Sequence, residues 1–220
     1  MSYTVVVDSC CDLTRAMRAQ GHFLVVPLTI HVGEQSFVDD EQLRSSKLLA
    51  AMKECPEAPH TSCPSPADYL DAFESADGDI YVVTLSALLS GSHNAARQAA
   101  KLFLEEHPPA EHPCVQLLFC LCRGGAAALK LSELAQSGLS FPQVVAQADQ
   151  AIAEMNTLFI LENLDNLKKE RAPDQGTSPA HRRAAHQAAH GLHPRGGDLQ
   201  AGTGPFCAPG ADQAGRDHGG

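Results

Sequence analysis

An α/β fold, with a mainly parallel sheet flanked by helices, is what this sequence predicts. Three observations carry that expectation. Short apolar runs rich in β-branched residues recur: YTVVV at 3–7, FLVVPLTIHV at 23–32, DIYVVTL at 79–85 and TLFIL at 157–161. They have strand length and show little alternation, as strands buried on both faces do. Longer stretches with apolar residues at helical spacing separate them, and strands alternating with helices favour parallel pairing. Polar clusters follow or flank the predicted strands, where open α/β sheets hold their ligands.

The elements follow in order. YTVVV is a short buried strand ending in Asp8-Ser9, and residues 12–19 form a short helix. Residues 23–32 are a second strand region, and Pro27 inside it predicts an edge position or a bulge, because proline cannot donate to a ladder. Residues 33–36 form a turn, and Phe37-Val38 add a brief strand. Residues 41–54 carry Leu43, Leu48, Leu49 and Met52 at helical spacing, and Pro56 and Pro59 then break the chain. Residues 66–76 form a helix capped by Ser65, with Pro66 in its first position and Tyr69, Leu70 and Phe73 on one face. After the strand at 79–85, residues 91–106 form a helix with Ala95, Ala99, Leu102 and Phe103 inward. Helices at 126–137 and 142–155 follow. Gly138 ends the first, and Ser140 caps the second ahead of Pro142.

Composition narrows the function. Hydrophobic residues are 44% of the 220, enough for a core, and 26 Asp+Glu against 16 Lys+Arg give a net charge of −10. Such a surface repels phosphate backbones, so nucleic acid is not an expected partner. No apolar run reaches the length of a membrane span, and MSYTVVVDSCCD lacks a basic, then apolar, leader. The cytoplasm is therefore the expected compartment. Eight cysteines (Cys10, Cys11, Cys55, Cys63, Cys114, Cys120, Cys122 and Cys207) include no C-x-x-C pair, so zinc is not expected. His186 and His190 stand four apart, but without H-E-x-x-H and among Gly and Pro. No metal is expected.

Three polar clusters are the candidate site: Asp8-Ser9; Thr61-Ser62 with Ser65; and Ser86 with Ser90-Gly91-Ser92. Helix N-termini near residues 66 and 91 bring free N–H groups and positive dipole ends, which suit one small anion between them. A serine hydrolase built on Ser90 and His93 is disfavoured, because the G-x-S-x-G elbow is absent. A Walker-type phosphate loop is absent as well.

Taken together, these clusters resemble the DegV family. The matches are VVVDSCCDL at 5–13, VVPLTIHVGEQSFVDD at 25–40, HTSCPSPADY at 60–69 and LSALLSGSHNAA at 85–96. Cys63, Ser92 and His93 stand where the family usually has Gln, Thr and Tyr. The resemblance implies a non-catalytic fatty-acid-binding protein with two α/β domains and a long-chain fatty acid between them. It implies that Thr61 and Ser90 hold the carboxylate, that Ser62, Gly91 and Ser92 support them, and that Asp8 and Ser9 shape the crevice. It also implies a fatty-acid kinase subunit as partner and no cofactor beyond the bound acid. The alternatives are a small-molecule phosphotransferase or hydrolase on the same scaffold, and a non-functional product of a disrupted gene.

Two stretches depart from the family pattern. LLFCLCRGG at 117–125 replaces a D-S-x-x-A-S-x-G segment, and its codons read one base later permit a family-like sequence. From about residue 170 the composition changes: residues 172–220 contain no Val, Ile, Met, Tyr, Lys, Glu or Asn. The codons for ERAPDQG, read one base later, permit a family-like N-G-R-L-T-K. The expectation is a DegV-type region over 1–169, atypical at 118–125 and with its second domain incomplete. An aberrant or disordered tail over 170–220, read out of frame, follows it.

Overall fold

The computed structural model describes residues 2–87, 90–107, 115–120 (as backbone), 124–155 and 169. The expected strand at 157–161 and the tail at 170–220 lie outside the described residues. Within them the chain runs β1 (Tyr3–Asp8), a 3-10 turn (Ser9–Cys11), α1 (Arg15–Arg18), β2 (Phe23–Val26), β3 (Thr29–Val32) and β4 (Gln35–Val38). It continues through α2 (Ser45–Glu54), β5 (His60–Ser62), α3 (Pro66–Glu74), β6 (Asp79–Leu85), α4 (Ser92–Glu106), β7 (Val115–Cys120), α5 (Gly124–Gln136) and α6 (Phe141–Glu154).

Four strands form an all-parallel sheet in the order β2-β1-β6-β7. The centre of β1 shows why its sequence does not alternate. Val5 and Val7 enter a core shared with α5 and α6, through Tyr81, Ala127, Leu131, Phe141 and Val144. Val6 enters a second core, with Tyr69, Phe73, Ile80, Val82 and the alanines of α4. All three valines are fully buried. Each contributes about 1.5–3 kcal/mol of transfer free energy. Ala95, Ala96, Ala99 and Ala100 let α4 lie close to the sheet, and Phe73 meets Phe103 edge-on at 5.9 Å.

A second, three-stranded antiparallel sheet has the order β4-β3-β5. Pro27 lies neither at a bulge nor within an edge strand: the region read as one strand over 23–32 is two. The chain leaves the parallel sheet after Val26 and joins the small sheet at Thr29. Proline suits that crossing because no ladder bond is required of it. The next residue is tied back to the end of β1, since Leu28 N donates to Ser9 Oγ at 3.1 Å.

Two helix expectations need correction. Leu43 precedes α2, whose Leu49 is 62% exposed and which buries no residue. Its apolar spacing is helical, but neither core receives it. Lys169 Nζ donates to the carbonyls of Met52 (2.9 Å) and Cys55 (2.8 Å), satisfying groups at the end of α2. Leu102 of α4 is 46% exposed, while Ala95, Ala99 and Phe103 point inward as expected.

The caps hold as expected. Asp68 N donates to Ser65 Oγ at 3.2 Å, and Ser65 N donates to Asp68 Oδ2 at 2.7 Å, closing a capping box with Pro66 at the first helical position. Ser65→Ala is expected to cost about 1 kcal/mol. It should appear as a lower urea midpoint with an unchanged slope; an unmoved midpoint would show that the box adds nothing. Gly138, at φ +78, follows α5 in the left-handed region, and Gln143 accepts from Ser140 N at 3.0 Å at the start of α6. No helix of the described residues is long and apolar enough to cross a membrane.

Candidate functional site

Asp8 ends the central strand β1 and is 1% exposed. Its Oδ2 accepts from Leu85 N (2.8 Å) and from Ser92 Oγ (2.8 Å), and the carboxylate also accepts from Cys10 N. Burial pushes its carboxyl above the usual carboxylate range, and these three donors oppose that shift. Leu85 and Ser92 lie at either end of the connection between β6 and α4. One carboxylate thus clamps both ends of the segment that carries Ser90.

Ser92 is fully buried, and its hydroxyl also meets the phenol of Tyr69 at 2.6 Å. Ser92 N donates to Ser90 Oγ at 3.1 Å, and Ser90 N donates to the carbonyl of Ser86 at 3.0 Å. Ser90 is therefore held just ahead of α4, whose N-cap is Gly91, near the positive end of that helix. Its hydroxyl bonds to no histidine or carboxylate among the described residues.

Gly91 has φ −70, a conformation open to any residue. Its lack of a side chain matters because an added Cβ would lie 2.9 Å from Cys63 Sγ. That approach brings the segment after β5 against the start of α4. Thr61 and Ser62 therefore reach the neighbourhood of Ser90 through Cys63.

Neighbouring side chains on a strand point to opposite faces. Ser62 shares a face with His60 and His31. The His31 ring bonds Ser62 Oγ through Nε2 (2.8 Å) and Ser36 Oγ through Nδ1 (2.9 Å), and it stacks on His60 at 4.7 Å. Thr61 lies on the other face, where its ladder partner Ile30 is flanked by Phe37. Its exposed hydroxyl makes no hydrogen bond to another described residue. The structure thus joins Asp8, Ser90 and Ser92 by direct bonds and sets Gly91 against the Thr61 segment. It engages Ser9 with Leu28 and turns the Ser62 side chain away from Thr61. Sequence reasoning missed the Tyr69 hydroxyl: helical spacing marks Tyr69 as core, and only its phenol hints at a polar partner.

Away from this region, Glu74, Glu106 and His107 bring ligand atoms within 4.8 Å of one another at the ends of α3 and α4. The Glu74–His107 bond of 2.8 Å accounts for that pair without an ion.

A family model described as "Uncharacterised protein, DegV family" matches residues 2–170. A DegV domain-containing protein of Streptococcus gordonii is 39% identical over 174 residues, covering 77% of this chain and 60% of that protein. The chain thus spans about three-fifths of the length of the curated relatives it matches. A crystal structure of a DegV-family protein from Ruminococcus gnavus, refined with vaccenic acid, superposes with a TM-score of 0.70 at 35% identity. It covers 81% of this chain and 66% of that one. The Streptococcus pneumoniae Fatty Acid Kinase (Fak) B3 protein, loaded with linoleic acid, gives 0.59 at 35% identity, covering 68% and 54%. With the match spanning most of its length and the shared fold, the chain belongs to the DegV family.

Proposed function

We propose that this chain binds a long-chain fatty acid without catalysing its conversion, with the carboxylate held by the hydroxyls of Thr61 and Ser90. The observation that carries this reading is the setting of Ser90. Its oxygen accepts from Ser92 N, no described residue takes its own proton, and it stands just ahead of α4. Thr61 offers a second exposed hydroxyl on a face shared with the half-buried Ile30 and Phe37, apolar neighbours suited to the start of an acyl chain. Ser9 and Asp8 shape the crevice. Gly91 and Ser92 act through the backbone, and Ser62 contributes its main chain, since His31 engages its hydroxyl. Relatives at 35% identity carry vaccenic and linoleic acids, which supports the ligand class.

Charge-assisted hydrogen bonds contribute roughly 1.5–3 kcal/mol each, and each acyl CH₂ adds about 0.8 kcal/mol. Thr61→Val and Ser90→Ala should therefore each weaken binding of oleate by about 10- to 100-fold in titrations of delipidated protein. Wild-type affinity in both variants would overturn the assignment.

The chain works in the cytoplasm and presents its acid to a fatty-acid kinase; the kinase partner is supported by a pneumococcal relative named as a Fatty Acid Kinase (Fak) B3 protein. Residues 1–169 are its DegV-type region with an incomplete second domain, and 118–125 and 170–220 are read out of frame. The end of the family match at residue 170, where composition changes, supports the latter boundary. Resequencing the gene tests it, and an intact frame through residue 220 would rule it out.

A further inference from the structure

We infer that Tyr69 is a positioning residue for the ligand carboxylate, acting through Ser92 to set the direction of the Ser90 hydroxyl. This rests on the fatty-acid reading above. Ser92 has one hydroxyl proton, and it goes to Asp8 Oδ2 at 2.8 Å. At the 2.6 Å contact between Ser92 Oγ and the Tyr69 phenol, the proton must then come from tyrosine. Burial first, then the nearby Asp8 charge, push the Tyr69 phenol up, so it keeps that proton. The result is a buried chain of fixed direction: Tyr69 donates to Ser92, and Ser92 donates to Asp8.

Two consequences follow for ligand binding. The Ser92 side chain has its proton committed and its oxygen engaged, so it is not itself a donor to the ligand. Its main chain, pinned by those bonds, directs an N–H at Ser90 Oγ at 3.1 Å. That bond occupies a lone pair of Ser90 and leaves the Ser90 proton to an acceptor in the crevice. An anionic oxygen is the best acceptor for it. Tyr69 and Ser92 are fully buried and Asp8 is 1% exposed, so the chain is shielded from competing water. Its predicted effect is selectivity for a carboxylate head over a neutral one of the same chain length.

The test compares the dissociation constants of oleic acid and oleyl alcohol for the full delipidated chain. Variants are Tyr69→Phe, Ser92→Ala, Ser92→Thr and, as the direct-contact control, Ser90→Ala. The expected result is an acid-over-alcohol preference that falls about tenfold in Tyr69→Phe and Ser92→Ala, with alcohol affinity nearly unchanged. Ser92→Thr keeps a hydroxyl and should retain most of the preference. Thermal melting of each variant separates this effect from loss of fold, and Tyr69→Phe, which removes a single oxygen, is the decisive variant. A folded Tyr69→Phe with the wild-type preference, alongside a Ser90→Ala that loses it, overturns the inference and leaves the fatty-acid reading standing. A wild type without preference, or one unaffected by Ser90→Ala, overturns the reading of the site and the inference with it.

Discussion

Asp8→Ala should destabilise the protein by about 3–5 kcal/mol, a large share of the roughly 5–15 kcal/mol that holds a domain folded. The carboxylate is 1% exposed and accepts from Leu85 N, Ser92 Oγ and Cys10 N. Alanine leaves those donors without their acceptor, and each stranded donor costs about 1–3 kcal/mol. The loss also frees both ends of the segment carrying Ser90, so ligand affinity should fall with stability. Asp8→Asn is the milder comparison, because it replaces one acceptor oxygen by an NH₂ group that faces donors. Its pH dependence has a definite sign. The folded pKa of Asp8 lies above its unfolded 3.8, so its ionisation contribution is fully present below 3.8 and is lost as pH rises through the folded value. The stability gap between wild type and Asp8→Asn should therefore narrow as pH rises from 3.8. Urea denaturation across that window measures it, and a gap that widened would contradict the buried-carboxylate account.

Acid should destabilise the fold through His93 in the opposite sense. This residue is 3% exposed on the inner side of α4, and burial, with Arg97 one turn on, lowers its pKa from 6.5 to about 4. The folded state therefore prefers the neutral ring. Its contribution is fully present above pH 6.5 and is lost as pH falls toward about 4, because the unfolded chain takes up the proton first. The loss should reach on the order of 2 kcal/mol. His93→Gln should flatten the decline between pH 6.5 and 4, leaving the smaller share of His22, whose pKa burial also lowers. An equally steep decline in His93→Gln would show that the ring is solvated in the folded protein.

Much of the parallel sheet could be read from residue patterns because burial on both faces writes itself locally. DIYVVTL is β6 to the residue, and the Ser65 and Ser140 helix starts follow from capping chemistry confined to four residues. β5 was not legible: HTS has no hydrophobic pattern, and its strand exists because β3 offers a ladder. The same gap hid the opposite facing of Thr61 and Ser62, since alternation has meaning only once a strand is known. The exposed face of α2 shows the converse. Apolar spacing reports that a helix is amphipathic and says nothing about which surface receives it. The link from Tyr69 to Ser92 and Asp8 joins positions 23 and 84 residues apart in its two bonds, beyond any local signal. Asp8, Ser90 and Ser92 were singled out as strand-end polar residues, and the structure adds the order of their bonds.

The central claim, a carboxylate-bearing lipid held at Thr61 and Ser90, is tested most directly on the purified chain itself. Native protein extracted with organic solvent should release one fatty acid per folded chain, identified by mass spectrometry, and Ser90→Ala should release much less. A folded chain that yields no fatty acid, and takes up none when oleate is added, would contradict it.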